Sequence, residues 1–103
     1  MPLFAVIGLD HPPHAMPQRD AVRAEHRAYV KTNDGQIRLA AAMVDGDANQ
    51  CGSLYLFEAE DEGQVREWLA HEPFVTGGVY KDLVVRELHL AHQLLPRKEW
   101  NAP

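Results

Sequence analysis

The sequence predicts an α+β fold in which one antiparallel sheet carries both helices on a single face. Three observations point to it. Four short apolar or alternating segments alternate with two helical segments in the order β-α-β-β-α-β. The second and third strands are joined by a polar, glycine-containing loop of hairpin type. The first strand is apolar on both faces, Leu3, Ala5, Ile7 and Leu9 on one and Phe4 and Val6 on the other. A helix layer covers one sheet face, so something else must cover the other.

The elements follow in order. Leu3 to Leu9 (LFAVIGL) is short and rich in aromatic and β-branched residues, and reads as a strand. It stops at Asp10-His11-Pro12-Pro13, where two prolines end any ladder. Pro17 suits the first turn of a helix, and the segment from Pro17 to Lys31 has no glycine and no further proline. Val22, His26, Tyr29 and Val30 share one face of it, and Asn33-Asp34-Gly35 ends it. Ile37, Leu39, Ala41 and Met43 alternate as a second strand, Asp45 to Gly52 is the loop, and Ser53 to Glu58 is the third strand. Asp61 with Gln64 three residues on resembles a capping box. Val65, Trp68 and Leu69 make the apolar stripe of a second helix over Glu62 to His71, with Trp68 in the core. Glu72-Pro73-Phe74 breaks that helix, Gly77-Gly78 turns the chain, and Val79 to Leu90 is the last strand. The pattern is the split βαβ of the ferredoxin-like fold, one domain over residues 1–95 with a polar tail over 96–103 in which Trp100 is the one large apolar residue. A second copy of the chain is the economical cover for the bare sheet face. Val6→Asp is then expected to disturb the dimer, with Val6 taken as facing the partner.

Composition excludes several classes. Ten Lys and Arg stand against 15 Asp and Glu, a formal charge of −5, with no basic run, so neither nucleic acid nor an anionic membrane is an expected partner. One cysteine makes no internal disulfide framework. No apolar run approaches the length of a membrane span, and Met1-Pro2-Leu3 opens without the basic segment of a signal peptide; the expected location is the cytoplasm.

The residues with chemical potential cluster on the first helix. Arg19, Arg23 and His26 lie on adjoining stripes of one face. Neighbouring guanidinium groups disfavour a further positive charge on an imidazole, and a neutral imidazole is what a general base offers near pH 7. The arginines suit a carboxylate or phenolate. The same spacing also fits a hydrogen-bonded core histidine with two solvated arginines beside it. Six histidines include the pairs His11/His14 and His89/His92, but no third ligand pattern completes a metal site, and neither metal nor cofactor is expected. Cys51 has no adjacent histidine and reads as a packed thiol. Ser53 is a candidate hydrogen-bonding residue of a cleft, and Phe74 either walls a pocket for a ring or fills a gap.

Arg19, Arg23 and His26 stand in R-x-x-x-R-x-x-H. Gly35, Ile37-Arg38-Leu39-Ala40, Asp45, Gly52-Ser53 and Glu72-Pro73-Phe74-Val75-x-x-Gly78-Val79-Tyr80 follow in order. Together they resemble the YCII (YciI-like) family over about residues 3 to 90. The resemblance implies a ferredoxin-like α+β fold dimerising through its sheets, as in dimeric α+β barrels. It also implies a cleft with a histidine and an aspartate suspected of acid–base catalysis; one branch of the family removes chloride from a chlorinated hydroxyhydroquinone. His26 matches the family histidine. For the aspartate, Asp45 matches the acidic position after the second strand, and Asp34 lies eight residues after His26. Ala41-Ala42 replaces a frequent Gly-Pro, and Glu72 replaces the usual Asp before Pro-Phe, keeping a carboxylate one methylene further out. The resulting expectation is a lyase- or isomerase-type enzyme acting on a small carboxylated or ring-derived metabolite. His26 with Asp45 or Asp34 would be catalytic, and Arg19, Arg23, Ser53, Glu72 and Phe74 would bind substrate. The alternative is a non-catalytic dimeric binding or accessory module.

Overall fold

A computed structural model describes residues 1–33 and 35–92. The elements are β1 (Leu3–Asp10), α1 (Met16–Lys31), β2 (Ile37–Val44), β3 (Gln50–Glu58), α2 (Glu62–Ala70), a single helical turn α3 (Pro73–Thr76) and β4 (Tyr80–Leu88). The four strands form one sheet in the order β2-β3-β1-β4, every neighbouring pair antiparallel. The expected order of elements and the ferredoxin-like fold are therefore present. Asp34, the 96–103 tail and Trp100 lie outside the described residues.

The strand pleat decides which residues meet the helices. Phe4, Val6, Tyr55, Phe57 and Val85 point to the helix side and bury against Val65, Trp68 and Leu69 of α2, with Tyr29 and Val30 of α1 packed alongside. Val6 is fully buried there, which corrects its expected place on the free face. The free face carries the alternate residues: Leu3, Ala5, Ile7 and Leu9 of β1, Leu54 and Leu56 of β3, and Val84 and Leu88 of β4.

Local chemistry sets the helix ends. Asp61 Oδ1 accepts the Gln64 amide at 2.9 Å, as the capping pattern predicts, but Gln64 Oε1 reaches back to the Glu60 amide at 3.0 Å rather than that of Asp61. Glu72-Pro73-Phe74 ends α2 and also starts α3: Glu72 is its N-cap, its side chain accepting the Phe74 amide, and Pro73 occupies the first turn. In α1 the backbone leaves helical geometry at Val22, with φ −126° and ψ 16°, between Arg19 and His26. Arg19 is buried, whereas Arg23 stays part-exposed.

Candidate functional site

Between α1 and the β2–β3 half of the sheet lies a cavity of about 320 Å³. Arg19, Arg23, His26 and Arg27 of α1 line it, with Ala40–Ala42 of β2, Gln50, Ser53 and Tyr55 of β3, and Phe74. A volume of this size admits a small metabolite. Ala40 and Ala42, paired with Tyr55 and Ser53, present only methyl groups on the β2 side of the cavity.

His26 is held from two directions. Its ring stacks on Phe74, centroids 3.6 Å apart and planes 5° from parallel. Its Nδ1 is hydrogen-bonded to Glu72 Oε1, which also accepts the Phe74 amide at 3.1 Å. Glu72 is fully buried, and its Oε2 has no partner among the described residues. Oε1 accepts the Phe74 amide and meets Nδ1 as an acceptor as well, so in the neutral ring Nδ1 carries the proton and Nε2 the lone pair. No described residue bonds Nε2, and His26 borders the cavity. The carboxylate that meets His26 is thus Glu72, reached from the α2–α3 junction. It is not Asp45, which takes no part in the cavity lining. Asp45 Oδ1 instead accepts the amides of Asp47 at 2.8 Å and Asn49 at 3.0 Å, pinning the β2–β3 loop. Those two backbone bonds, Asn49's first, hold its carboxyl below the usual aspartate range. Asp34 lies outside the described residues.

Deeper in the cavity, Arg19 forms a two-point ion pair with Asp10, the last residue of β1, Nε to Oδ2 at 2.7 Å and Nη2 to Oδ1 at 2.9 Å. Both side chains are almost wholly buried, at 2% and 0% exposure. Burial opposes the Arg19 charge, but the bond to Asp10 and its negative charge outweigh it and hold the guanidinium protonated. Arg19 is therefore neutralised within the buried interior, and the positive charge expected beside His26 lies at the rim, on Arg27 and on Arg23, whose own partner Asp20 is exposed to solvent. Arg23 is bridged to Gln50 Oε1 at 3.0 Å and to Asp20 at 2.9 Å. Arg19 Nη2 also donates to Ser53 Oγ at 3.0 Å, and the Tyr80 hydroxyl donates to the same oxygen at 2.7 Å. Gly8, the β1 partner of Ser53, makes room for this: a Cβ there would come within 2.7 Å of the Tyr80 ring. Ser53 and Phe74 both reach the cavity, as the sequence suggests. Asp10, Arg27, Gln50, Tyr55 and Tyr80 escaped sequence reasoning. For Asp10 a signal exists: in LFAVIGLD it shares the parity of Phe4 and Val6, hence their buried face.

The tyrosines record how dry this region is. Burial first, then the charge of Glu72, pushes Tyr80 up to about 12. Tyr55 is raised by burial and then by Tyr80 and Glu72, and Tyr29 by burial and then by Glu72 and Glu67. The fold favours the neutral phenol, so this stability is fully present below the ordinary tyrosine value of 10.0 and is lost as pH rises towards about 12. Titration followed by tyrosinate absorbance is expected to find fewer than half of the three tyrosines ionised at pH 10 in the folded protein, with the remainder released together with alkaline unfolding. Ionisation of a free-tyrosine kind at pH 10 in the folded protein would contradict this packing.

Comparison with known proteins agrees with this architecture. The chain is 29% identical over 92 residues to an uncharacterised protein of Haemophilus influenzae, covering 82% of this chain and 94% of that one. Among solved structures it resembles a 5-chloro-2-hydroxyhydroquinone dehydrochlorinase from Burkholderia phenoliruptrix, solved in complex with 2,5-dihydroxybenzoquinone. The TM-score is 0.78 at 23% identity, over 84% of this chain and 93% of that one. An antibiotic biosynthesis monooxygenase shares the fold at a TM-score of 0.54 and 15% identity, over 89% of this chain and all of that one. No helix among the described residues is long and apolar enough to cross a membrane. The model of the YCII-related domain matches residues 3–89, and the chain belongs to that family.

Proposed function

We propose that this protein is a small acid–base enzyme of lyase or isomerase type acting on a small carboxylated or ring-derived metabolite, with His26 moving the proton and Glu72 orienting it. The observation that carries this reading is the His26–Glu72 pair at the cavity wall. Glu72 fixes the tautomer and would stabilise the imidazolium that forms when Nε2 takes a proton, and Phe74 fixes the plane of the ring. Arg23 and Arg27 supply the positive rim for an anionic group. A neighbour of the same fold is a dehydrochlorinase, and loss of HCl includes loss of a proton, which is in keeping with a site built around a base. No metal or redox partner is needed for such a step. A thermal-shift screen of small carboxylates and phenols, followed by solvent-deuterium exchange into each ligand found, tests the reading. Exchange that depends on His26 supports it. Ligands bound without exchange, and indifferent to His26→Gln, would make the protein a binding or accessory module.

The same proposal includes a homodimer formed by the helix-free sheet face. Leu3, Ala5, Ile7, Leu54 and Leu56 make that face apolar, and Leu9 and Leu39 are 45% and 40% exposed. Obligate interfaces of this type bury on the order of 2,000 Å² or more in total. Ile7→Asp places a charge at the centre of the face and is expected to give monomers or aggregates by light scattering at micromolar concentration. A wild-type protein that is monomeric under those conditions would overturn the dimer.

A further inference from the structure

Ser53 and Arg19 remain without a ligand-directed role in the reading above. A serine oxygen has two lone pairs and one proton. Here Arg19 Nη2 occupies one lone pair and the Tyr80 hydroxyl the other. With Tyr80 as donor, Ser53 keeps its own proton to give, and it lines the cavity. Arg19 is in a similar position. Its Nε and Nη2 are bound to Asp10 and Ser53, while Nη1 bonds no described residue although the side chain is 2% exposed and borders the cavity. The guanidinium is held in place by Phe74, 4.9 Å from its ring centroid, and Tyr80, 5.9 Å away. Tyr80 keeps its proton across the physiological range, so a neutral hydroxyl and not an anion faces Ser53.

We propose that the Ser53 hydroxyl and Arg19 Nη1–H form a buried subsite that receives a carbonyl oxygen of the ligand and holds it as it becomes an enolate oxygen. The inference deepens the acid–base reading and rests on it. Charge assigns the two ends of the ligand. Asp10 neutralises Arg19, so the deep subsite has no net charge and suits an uncharged carbonyl, whereas a carboxylate goes to Arg23 and Arg27 at the rim. The substrate class is then a small carboxylated ketone or enone with a C–H next to the carbonyl. In the step, the C–H proton passes to His26 Nε2. The C–H electron pair forms a carbon–carbon double bond, and the carbonyl π pair moves onto oxygen, where the two donors meet the developing charge. Return of the proton at another carbon gives isomerisation, and departure of an anionic leaving group gives elimination. No electron acceptor is required.

Asp10 and Tyr80 are positioning residues in this arrangement, since they act through Arg19 and Ser53. The test compares two probes, benzoate and 4-hydroxybenzoate, which share a rim-binding carboxylate and differ by one oxygen able to accept hydrogen bonds from the two donors. Calorimetry on the wild-type protein is expected to show 4-hydroxybenzoate binding on the order of tenfold more tightly. That advantage should vanish in Ser53→Ala and shrink in Ser53→Cys, a poor donor of similar size, and survive in His26→Gln. A ratio measured within each variant is insensitive to any general loss of stability. An advantage that is absent in wild type, including no binding of either probe at millimolar concentration, overturns the subsite. So does one that persists in both Ser53 variants, or one lost in His26→Gln instead. Failure of the acid–base reading shows differently: proton exchange unaffected by His26→Gln, with the affinity ratio still dependent on Ser53.

Discussion

Arg19→Met is expected to cost about 3–5 kcal/mol of folding stability, because it leaves the Asp10 carboxylate buried without its partner. A domain of this size has a total stability of roughly 5–15 kcal/mol, so the variant should lose a large share of its resistance to urea. Asp10→Ala is expected to be comparably severe, since it strands the guanidinium instead. The double variant Asp10→Ala/Arg19→Met should be distinctly more stable than the sum of the two losses implies, because neither charge is then left buried alone. Urea unfolding of the four proteins at one protein concentration closes the cycle. Additive losses would mean that the two side chains do not act as a pair. Ser53 and Tyr80 share this network, so the same cycle also measures how firmly the deep end of the cavity is built.

The second large effect is on chemistry. His26→Gln keeps a polar side chain of similar reach but removes the base, and turnover or proton exchange is expected to fall by about 10²–10⁴-fold. Glu72→Gln should reduce the rate less, since an amide can still bond Nδ1 but no longer stabilises an imidazolium. His26→Ala is expected to cost about 1–3 kcal/mol of stability as well, because Glu72 Oε1 loses its imidazole partner and Phe74 its stacked ring. The histidine is thus both built into the fold and exposed to the cavity, a combination that spacing along one helix does not distinguish. A large stability loss in His26→Ala, with no change in any ligand binding or exchange, would leave the residue a structural one.

The order of elements was legible because each has a local cause: alternation in the strands, the stripe of Val65, Trp68 and Leu69, and the breaks at Pro12-Pro13 and Pro73. The faces of β1 were not, because Leu3 to Leu9 is apolar on both sides and alternation then carries no direction; only the buried Asp10 gives the parity away. His26 and Glu72 lie 46 residues apart, and nothing local links them. Glu72 also sits where the chain reads as a simple helix break, so its use as an N-cap, which turns its carboxylate inwards, is a property of the tertiary structure. Asp45 draws attention as the acidic residue after a strand, yet loop chemistry alone accounts for it. Arg19 illustrates the limit of charge spacing: its neighbours on α1 suggest a ligand-binding cation, while its partner Asp10 comes from the end of the central strand.

The most direct test of the His26–Glu72 pair needs no substrate. Long-range nitrogen–proton correlation spectra of the folded protein at a pH where the imidazole is neutral report which ring nitrogen of His26 carries the proton. The proton is expected on Nδ1 in the wild type, facing Glu72, with Nε2 unprotonated towards the cavity, and that preference is expected to be lost in Glu72→Ala. A His26 protonated on Nε2 in the wild type, or one whose tautomer is indifferent to Glu72, would contradict it.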